Sequence, residues 1–227
     1  MSELNTEIEI ARLVGRAKLR KEEAKDSRDE GDIESAIEFL QDAIAVMDDS
    51  PLSAQLHDNG AASAAVKTLA YHLADCLGML GGNYRRLDRF DEAQACFERG
   101  RIYEDSPRLE VASSYNLVNA ITLPLERRSS RLDEQTEELR RAVGAISRQI
   151  QGERRNDRWA WADLAECQLL LGLGDEAWRS YRRARDLGDE DTVNSIVSVL
   201  QRLEAVLHNG EQEAAKNINE AIQALRG

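Results

Sequence analysis

Several kinds of residue are scarce in this sequence, and each scarcity excludes a class of protein. The 227 residues include three prolines, three cysteines and 5% aromatic residues, whereas Ala, Leu, Glu and Arg, which favour helices, are abundant. No stretch approaches the ~18 consecutive apolar residues that a membrane-spanning helix needs. We therefore expect an almost entirely helical, soluble protein with little material for a β-sheet and no membrane partner.

The three cysteines are Cys76, Cys96 and Cys167, and none belongs to a Cys-x-x-Cys pair. All three lie within helical patterns, so we expect buried structural thiols rather than metal ligands or disulfides. The first turns of the chain are amphipathic and charged, and they lack the apolar core of a secretory signal. These features predict a cytoplasmic location.

Positive charge is also in short supply, because 42 acidic residues outnumber 30 basic ones and the formal net charge is −12. A strongly acidic protein does not coat nucleic acid or an anionic membrane through bulk charge. Catalytic signatures are missing as well: the sequence has no phosphate-binding glycine loop, nucleophile elbow or His-Glu-x-x-His motif. We therefore predict a protein that is not an enzyme and that needs no cofactor or metal.

Apolar spacing and the turn residues between apolar segments predict about ten helices in a single domain, 1–227. Ser50-Pro51 and Ser106-Pro107 each have the form of an N-cap followed by the first helical residue, and the second of them predicts that the fifth helix begins at 107. The predicted helices span 4–30, 32–48, 60–87, 90–104, 107–125, 132–151, 156–172, 175–187, 190–208 and 211–226.

Small residues recur at three places with the same spacing. Each set has an anchor alanine, a small residue twelve positions earlier, another seven positions later, and a large residue four positions after the anchor. Small residues let two antiparallel helices approach closely, and the large residue fills the gap to the next pair. The sets are Ala24, Ala36, Leu40 and Ala43; Gly81, Ala93, Phe97 and Gly100; and Ala165, Ala177, Tyr181 and Ala184.

This pattern resembles the tetratricopeptide repeat (TPR), a unit of about 34 residues that forms two antiparallel helices. The best copies cover about 20–50, 77–107 and 161–187, and degenerate helix pairs follow at about 107–151 and 190–226. The anchor alanines are not separated by multiples of 34 residues. We therefore predict an irregular version of the fold, an all-α protein of stacked antiparallel helix hairpins in a short right-handed solenoid.

Proteins of this family bind a peptide or a protein in a groove lined by the first helix of each pair. The resemblance therefore implies an adaptor, a scaffold or a regulatory subunit. Groove positions transferred by the repeat register, together with polar residues of the apolar segment 113–128, give the predicted partner-binding set. Its members are Lys21, Lys25, Arg28, Met79, Arg86, Tyr115, Asn116, Asn119 and Trp159.

An alternative is a regulator that responds to a small ligand or to nucleic acid, through the basic groove or through the arginine-rich middle helices. Acidic residues interrupt the arginines, and few aromatic residues are present to stack on bases, which favours an exposed helix face with internal ion pairs. A protein or peptide is thus the expected partner, and the oligomeric state is left open. The arginines are Arg127, Arg128, Arg131, Arg140, Arg141, Arg148, Arg154, Arg155 and Arg158.

Overall fold

The structure, a computed structural model, describes residues 3–207 and 212–226. These ranges contain ten α-helices, one short 3₁₀ helix and no β-strand, which confirms the predicted all-α class. The α-helices are α1 (Glu3–Asp29), α2 (Ile33–Asp48), α3 (Ala64–Arg86), α4 (Phe90–Glu104), α5 (Tyr115–Glu126), α6 (Leu132–Gln151), α7 (Arg158–Leu170), α8 (Gly174–Leu187), α9 (Glu190–Leu207) and α10 (Gln212–Arg226).

Local capping explains where several of these helices begin. The side chains of Asp32, Ser63 and Asp157 accept hydrogen bonds from backbone N–H groups two or three residues further along, at the starts of α2, α3 and α7. Gly31 and Gly172 adopt φ angles of +86° and +76° in the turns after α1 and α7, a conformation that costs glycine little. These junctions are encoded by neighbouring residues, and their helix ends agree with the prediction to within a few residues.

The chain divides into two compact units, residues 1–117 and 118–227, and each is described by itself. In the first unit α1 pairs with α2 and α3 pairs with α4, while α3 also packs on α1 and α2. In the second unit α7 pairs with α8 and α9 with α10, α6 packs on α7, and α10 reaches α7 and α8. The predicted stacking of antiparallel hairpins is confirmed within each unit, and the single domain over 1–227 stays a prediction.

The small residues of the repeats lie at close helix contacts. All seven alanines of the three sets are fully buried. A Cβ atom on Gly81 would lie 2.6 Å from Cε1 of Phe97, so only glycine leaves room for that ring. The Phe97 ring also meets Tyr115 edge to face, with ring centroids 5.9 Å apart. The large residue thus fills the space over its own hairpin and reaches the start of the following helix.

The fifth helix begins at Tyr115 and not at 107, so the N-cap prediction for Ser106-Pro107 is wrong. The residues after Ser106 form a turn, and Glu110 takes a left-handed φ of +51°. Ser50-Pro51 likewise opens a turn that leads into the 3₁₀ helix Ser53–His57. The start of α5 is determined by a residue distant in sequence, described below.

Candidate partner-binding site

The predicted groove residues of the first unit gather on the neighbouring helices α1 and α3 and at the start of α5. Residues three, four or seven positions apart share one face of a helix. At that spacing, the four predicted cations of α1 and α3 share a surface with several residues that are not in the predicted partner-binding set. We call this surface the α1/α3 face, and it consists of Lys18, Lys21, Lys25, Arg28, Tyr71, Asp75, Met79, Gly82, Arg86 and Tyr115.

Lys21 joins the two helices, because its Nζ atom donates a short hydrogen bond to the carboxylate of Asp75. Burial lowers the pKa of Lys21, but the hydrogen bond and the charge of Asp75 outweigh it and leave the pKa raised above its usual value. Both side chains are half-buried. Lys21 is therefore already paired with a carboxylate of the protein, and the neighbouring cations on this part of α1 are Lys18 and Lys25.

Tyr71 and His72 lie next to this ion pair on α3. Tyr71 is 44% exposed, whereas His72 is buried, and their rings meet edge to face at 5.3 Å. Burial lowers the pKa of His72, and the neighbouring charges of Lys18 and Lys21 lower it further. The sequence prediction missed Tyr71, although its position four residues before Asp75 places it in the same row of α3.

Arg86 at the end of α3 lies among other positive charges. Burial lowers its pKa, and Arg28 of α1 and its neighbour Arg85 contribute in the same direction. Within the described residues no carboxylate lies within ion-pair distance of Arg86. Arg28 contacts the carboxylate of Asp29 at 3.3 Å. Arg86 therefore adds positive charge to this end of the α1/α3 face without an ion pair of its own in the described part of the chain.

Tyr115 lies over a strip of α3 that has no side chains. A Cβ atom on Gly78 would lie 2.9 Å from Cδ1 of the Tyr115 ring, and one on Gly82 would lie 3.2 Å from its hydroxyl oxygen. Tyr115 also contributes to the electrostatic surroundings of Arg86, and it is 41% exposed. The two glycines thus leave room for an accessible aromatic ring near Arg86.

A buried carboxylate, Glu104 of α4, holds the start of α5 and with it Tyr115. The carboxylate accepts hydrogen bonds from the Ser113 hydroxyl at 2.7 Å, from the Asn116 amide nitrogen Nδ2 at 2.8 Å, and from the backbone N–H groups of Asn116 and Leu117 at 3.2 and 2.8 Å. Burial raises the pKa of Glu104, and these hydrogen bonds oppose that shift. A helix start has unpaired N–H groups, and here a remote acid accepts from two of them.

The structure places the two predicted asparagines differently from the rest of the set. Asn116 is 1% exposed and Asn119 is 8% exposed. The Asn116 amide donates to Glu104 and to the backbone oxygen of Ala74 at 2.8 Å, and a Cβ atom on Gly100 would lie 2.3 Å from its Cγ. A partner cannot reach this amide in the structure. Neither asparagine therefore belongs to the exposed α1/α3 face.

Trp159, the remaining predicted residue, belongs to the second unit. It is 42% exposed near the start of α7, and the guanidinium of Arg158 lies 5.4 Å from its ring centroid. Arg140 pairs with Glu137 at 3.7 Å, Arg141 pairs with Glu138, and Arg131 pairs with Asp133 at 3.0 Å. The arginine-rich helices thus carry the internal ion pairs that the sequence favours, two of them at a spacing of three residues.

The cysteines show the burial that the sequence predicts. All three thiols are free and buried, and burial raises the pKa of Cys76 to about 12 and that of Cys96 to about 11. Such thiols are poor nucleophiles at neutral pH.

A metal site and a membrane span each set requirements that the described residues do not meet. Among them, no group of side chains is suited to hold a metal ion, and no helix has the length and apolar character that a membrane span requires.

Solved structures with a similar fold include three helical repeat proteins. A putative kinesin light chain from Podosopora anserina with nearly identical TPR-like repeats is 14% identical over 94% of this chain and 96% of its own, with a TM-score of 0.45. The protein MamA is 13% identical over 92% of this chain and 91% of its own, with a TM-score of 0.40. YrrB, a TPR protein with an unusual peptide-binding site, is 14% identical over 90% of this chain and 84% of its own, with a TM-score of 0.38. The chain is similar in fold to TPR proteins.

The likeness is one of helix arrangement alone. No protein-family model matches the sequence, and no match is found among curated proteins. The assignment of a function therefore depends on the residues of the α1/α3 face.

Proposed function

We propose that the protein is a non-enzymatic interaction module that binds an acidic segment of a partner protein on the α1/α3 face. The observation that carries this proposal is the position of Arg86, which lies near Arg28 and Arg85 and has no ion-pair partner within the described residues. A guanidinium without an ion pair that lies near other cations attracts negative charge, even on a protein that is acidic as a whole. A carboxylate of the partner can accept two parallel hydrogen bonds from a guanidinium.

Two exposed tyrosines support a partner that is a polypeptide. Tyr71 and Tyr115 are 44% and 41% exposed, and both belong to the α1/α3 face. Tyrosine and arginine are enriched at the energetically important positions of protein interfaces, because each combines a large contact area with directed hydrogen bonds. Met79, which is half-buried on α3, adds an adaptable apolar contact.

The test uses peptides selected from a displayed library of twelve-residue segments rich in Asp and Glu around one apolar residue. Binding of a selected peptide is measured by fluorescence anisotropy for the wild type, for Arg28→Glu with Arg86→Glu, and for the matched control Arg140→Glu with Arg141→Glu. The control makes the same change of charge on exposed arginines of the second unit. We expect the face variant to lose at least about tenfold in affinity and the control less than about twofold.

Two results would contradict the proposal. Loss of binding in the control with retention in the face variant would place the interface on α6. A steep decrease of affinity with salt for a nucleic acid, together with no selected peptide, would favour the nucleic-acid alternative, because counterion release makes such binding strongly salt-dependent. Tyr71→Ala and Tyr115→Ala separate apolar contact from charge, and each is expected to weaken the peptide complex even at high salt.

A further inference from the structure

The outward side of α8 combines a tryptophan with two arginines. This helix buries the stripe Ala177, Ser180, Tyr181 and Ala184. Trp178, Arg182 and Arg185 lie four and three residues apart and therefore form a row on another side of the helix. Trp178 is 37% exposed and Arg182 is exposed. None of the three belongs to the α1/α3 face, and we call them the α8 row.

Within the described residues, several arginines of the second unit form ion pairs, unlike the two arginines of the α8 row. Arg154 pairs with Asp157, Arg179 with Glu176 and Arg202 with Glu126, in addition to the pairs on α6. In the part of the chain that the structure describes, Arg182 and Arg185 make no ion pair. Exposed tryptophan and arginine are the residues most enriched at the centres of protein interfaces. The α8 row therefore has the composition of a docking surface for an acidic helix.

The first unit contains a helix side of complementary charge. No Lys or Arg occurs from residue 29 to residue 66, and Glu34, Glu38 and Asp42 occupy successive turns on the exposed side of α2. Glu34 and Asp42 approach Arg89 and Arg20 only at 3.8 and 3.9 Å, in exposed pairs that contribute little. Within the described residues Glu38 has no ion pair. We call these three acids the α2 row.

We propose that two copies of the chain associate through the α8 row of one copy and the α2 row of the other. Both rows repeat at one helical turn, so Arg182 and Arg185 can face Glu38 and its neighbours while Trp178 lies against the exposed Ala45 side of α2. The acids supply the charges that the arginines lack, and the tryptophan supplies the apolar area. Because the two surfaces differ, each copy offers one of each, and the contact is heterologous.

The proposed association is weak. One pair of helix rows buries less than the ~1,200 Å² of total surface that is typical of stable complexes. Charge pairs at the rim of such an interface are screened by salt. The contact is therefore expected to depend on protein concentration and to disappear at high ionic strength.

The experiment is sedimentation equilibrium of the full chain between about 20 and 200 µM, at about 50 mM and about 500 mM salt. Four proteins are compared: the wild type, Arg182→Glu with Arg185→Glu, Glu34→Lys with Glu38→Lys, and an equimolar mixture of these two variants. Arg182→Gln with Arg185→Gln provides a milder change, and circular dichroism confirms that each variant is folded. Arg140→Glu with Arg141→Glu is the control for a change of net charge alone.

The wild type should associate at low salt and should be monomeric at high salt. Each reversed variant should raise the dissociation constant at least about tenfold. The mixture should recover association, because each variant keeps the native row that the other has lost and the two reversed rows are also opposite in charge. A monomeric wild type at every concentration would overturn the proposal. So would association that survives either reversal, and loss in the α8 variant alone would exclude α2 as the surface that α8 binds.

Discussion

Each unit buries one charged side chain at a helix junction, and the two junctions are held in different ways. Glu104 in the first unit is 8% exposed and Arg154 in the second is 6% exposed. Within the described residues Glu104 has no cation at ion-pair distance and accepts only from neutral donors. Arg154 donates to the carboxylate of Asp157 at 2.8 Å and to the side-chain oxygen of Gln149 at 2.6 Å.

The two junctions differ in the sequence separation between the buried charged residue and its hydrogen-bond partners. Arg154 contacts residues three and five positions away and joins the end of α6 to the cap of α7, so its junction is local. Glu104 accepts from residues nine to thirteen positions away, although Ser113 also acts locally, because its hydroxyl oxygen accepts from the backbone N–H of Tyr115 at 3.3 Å. A local junction can form alone, whereas the junction at Glu104 requires α4 and the segment before α5 to be in place.

Removal of the Glu104 carboxylate should have the largest effect on stability. Glu104→Ala leaves the backbone N–H groups of Asn116 and Leu117 buried without an acceptor, so we expect the free energy of unfolding to fall by about 3 kcal/mol. Urea unfolding followed by circular dichroism measures the change. Glu98→Ala on the exposed side of the same helix is the control and should cost under about 0.5 kcal/mol. Equal losses in the two variants would show that the buried acid does not hold the junction.

A methyl group at Gly100 tests the same junction from its other side. The Cβ atom would lie 2.3 Å from Cγ of Asn116, so Gly100→Ala should destabilise by about 1–2 kcal/mol even though alanine favours the helix. Gly144→Ala in α6 is the matched control, because its Cβ atom would meet nothing closer than Arg148 at 3.7 Å. The control should stabilise the protein by up to about 1 kcal/mol. The same sign of change in both variants would be inconsistent with the close contact at Asn116.

The second unit should tolerate the loss of its buried charge better. Arg154→Met keeps the apolar length of the side chain but removes the donors to Asp157 and Gln149, and Asp157 is exposed enough for water to replace them. We expect a loss of about 1–2 kcal/mol, less than for Glu104→Ala. The unfolding midpoints of the two variants, measured side by side, give the order. A larger loss for Arg154→Met would reverse the comparison.

A change of pH should have the smallest effect on stability among these tests, and it probes the protonation of Glu104. The pKa of Glu104 is raised in the folded protein, so its contribution to stability is fully present below the unfolded pKa and is lost as the pH rises through the folded pKa. The difference in free energy of unfolding between the wild type and Glu104→Ala should therefore be larger near pH 4.5 than near pH 7. Urea titrations across this range measure the difference. The opposite trend would show that the hydrogen bonds to the carboxylate outweigh its burial.

Much of the fold follows from patterns a few residues long. The seven buried alanines were predicted from their spacing, and nine of the ten helices agree with the predicted ranges wherever the chain is described. The exception is α5, where Ser106-Pro107 has the form of a helix start but the acceptor for the N–H groups of Asn116 and Leu117 comes from Glu104. A local pattern cannot show that an acid at the end of one helix will cap another.

The candidate site was predictable in its cations but not in how they are used. The repeat register placed Lys21, Arg28 and Arg86 on neighbouring helices, which the structure shows. It did not show that Asp75 pairs with Lys21, because that contact joins residues 54 positions apart. It also did not show that Asn116 is buried, since the contacts of that side chain with Ala74 and Glu104 depend on the packing of α3 and α4.

The contacts of Asn116 lead us to expect an order in the folding of the first unit. Its amide contacts the backbone oxygen of Ala74 on α3 and the carboxylate of Glu104 on α4, so we expect the first turn of α5 to become fixed only after the α3–α4 hairpin has assembled. Both helices precede Asn116 in the chain and leave the ribosome before it. Synthesis from the N-terminus therefore presents each partner before the residue that depends on it, and the nascent chain never has to wait for a later segment to complete this junction.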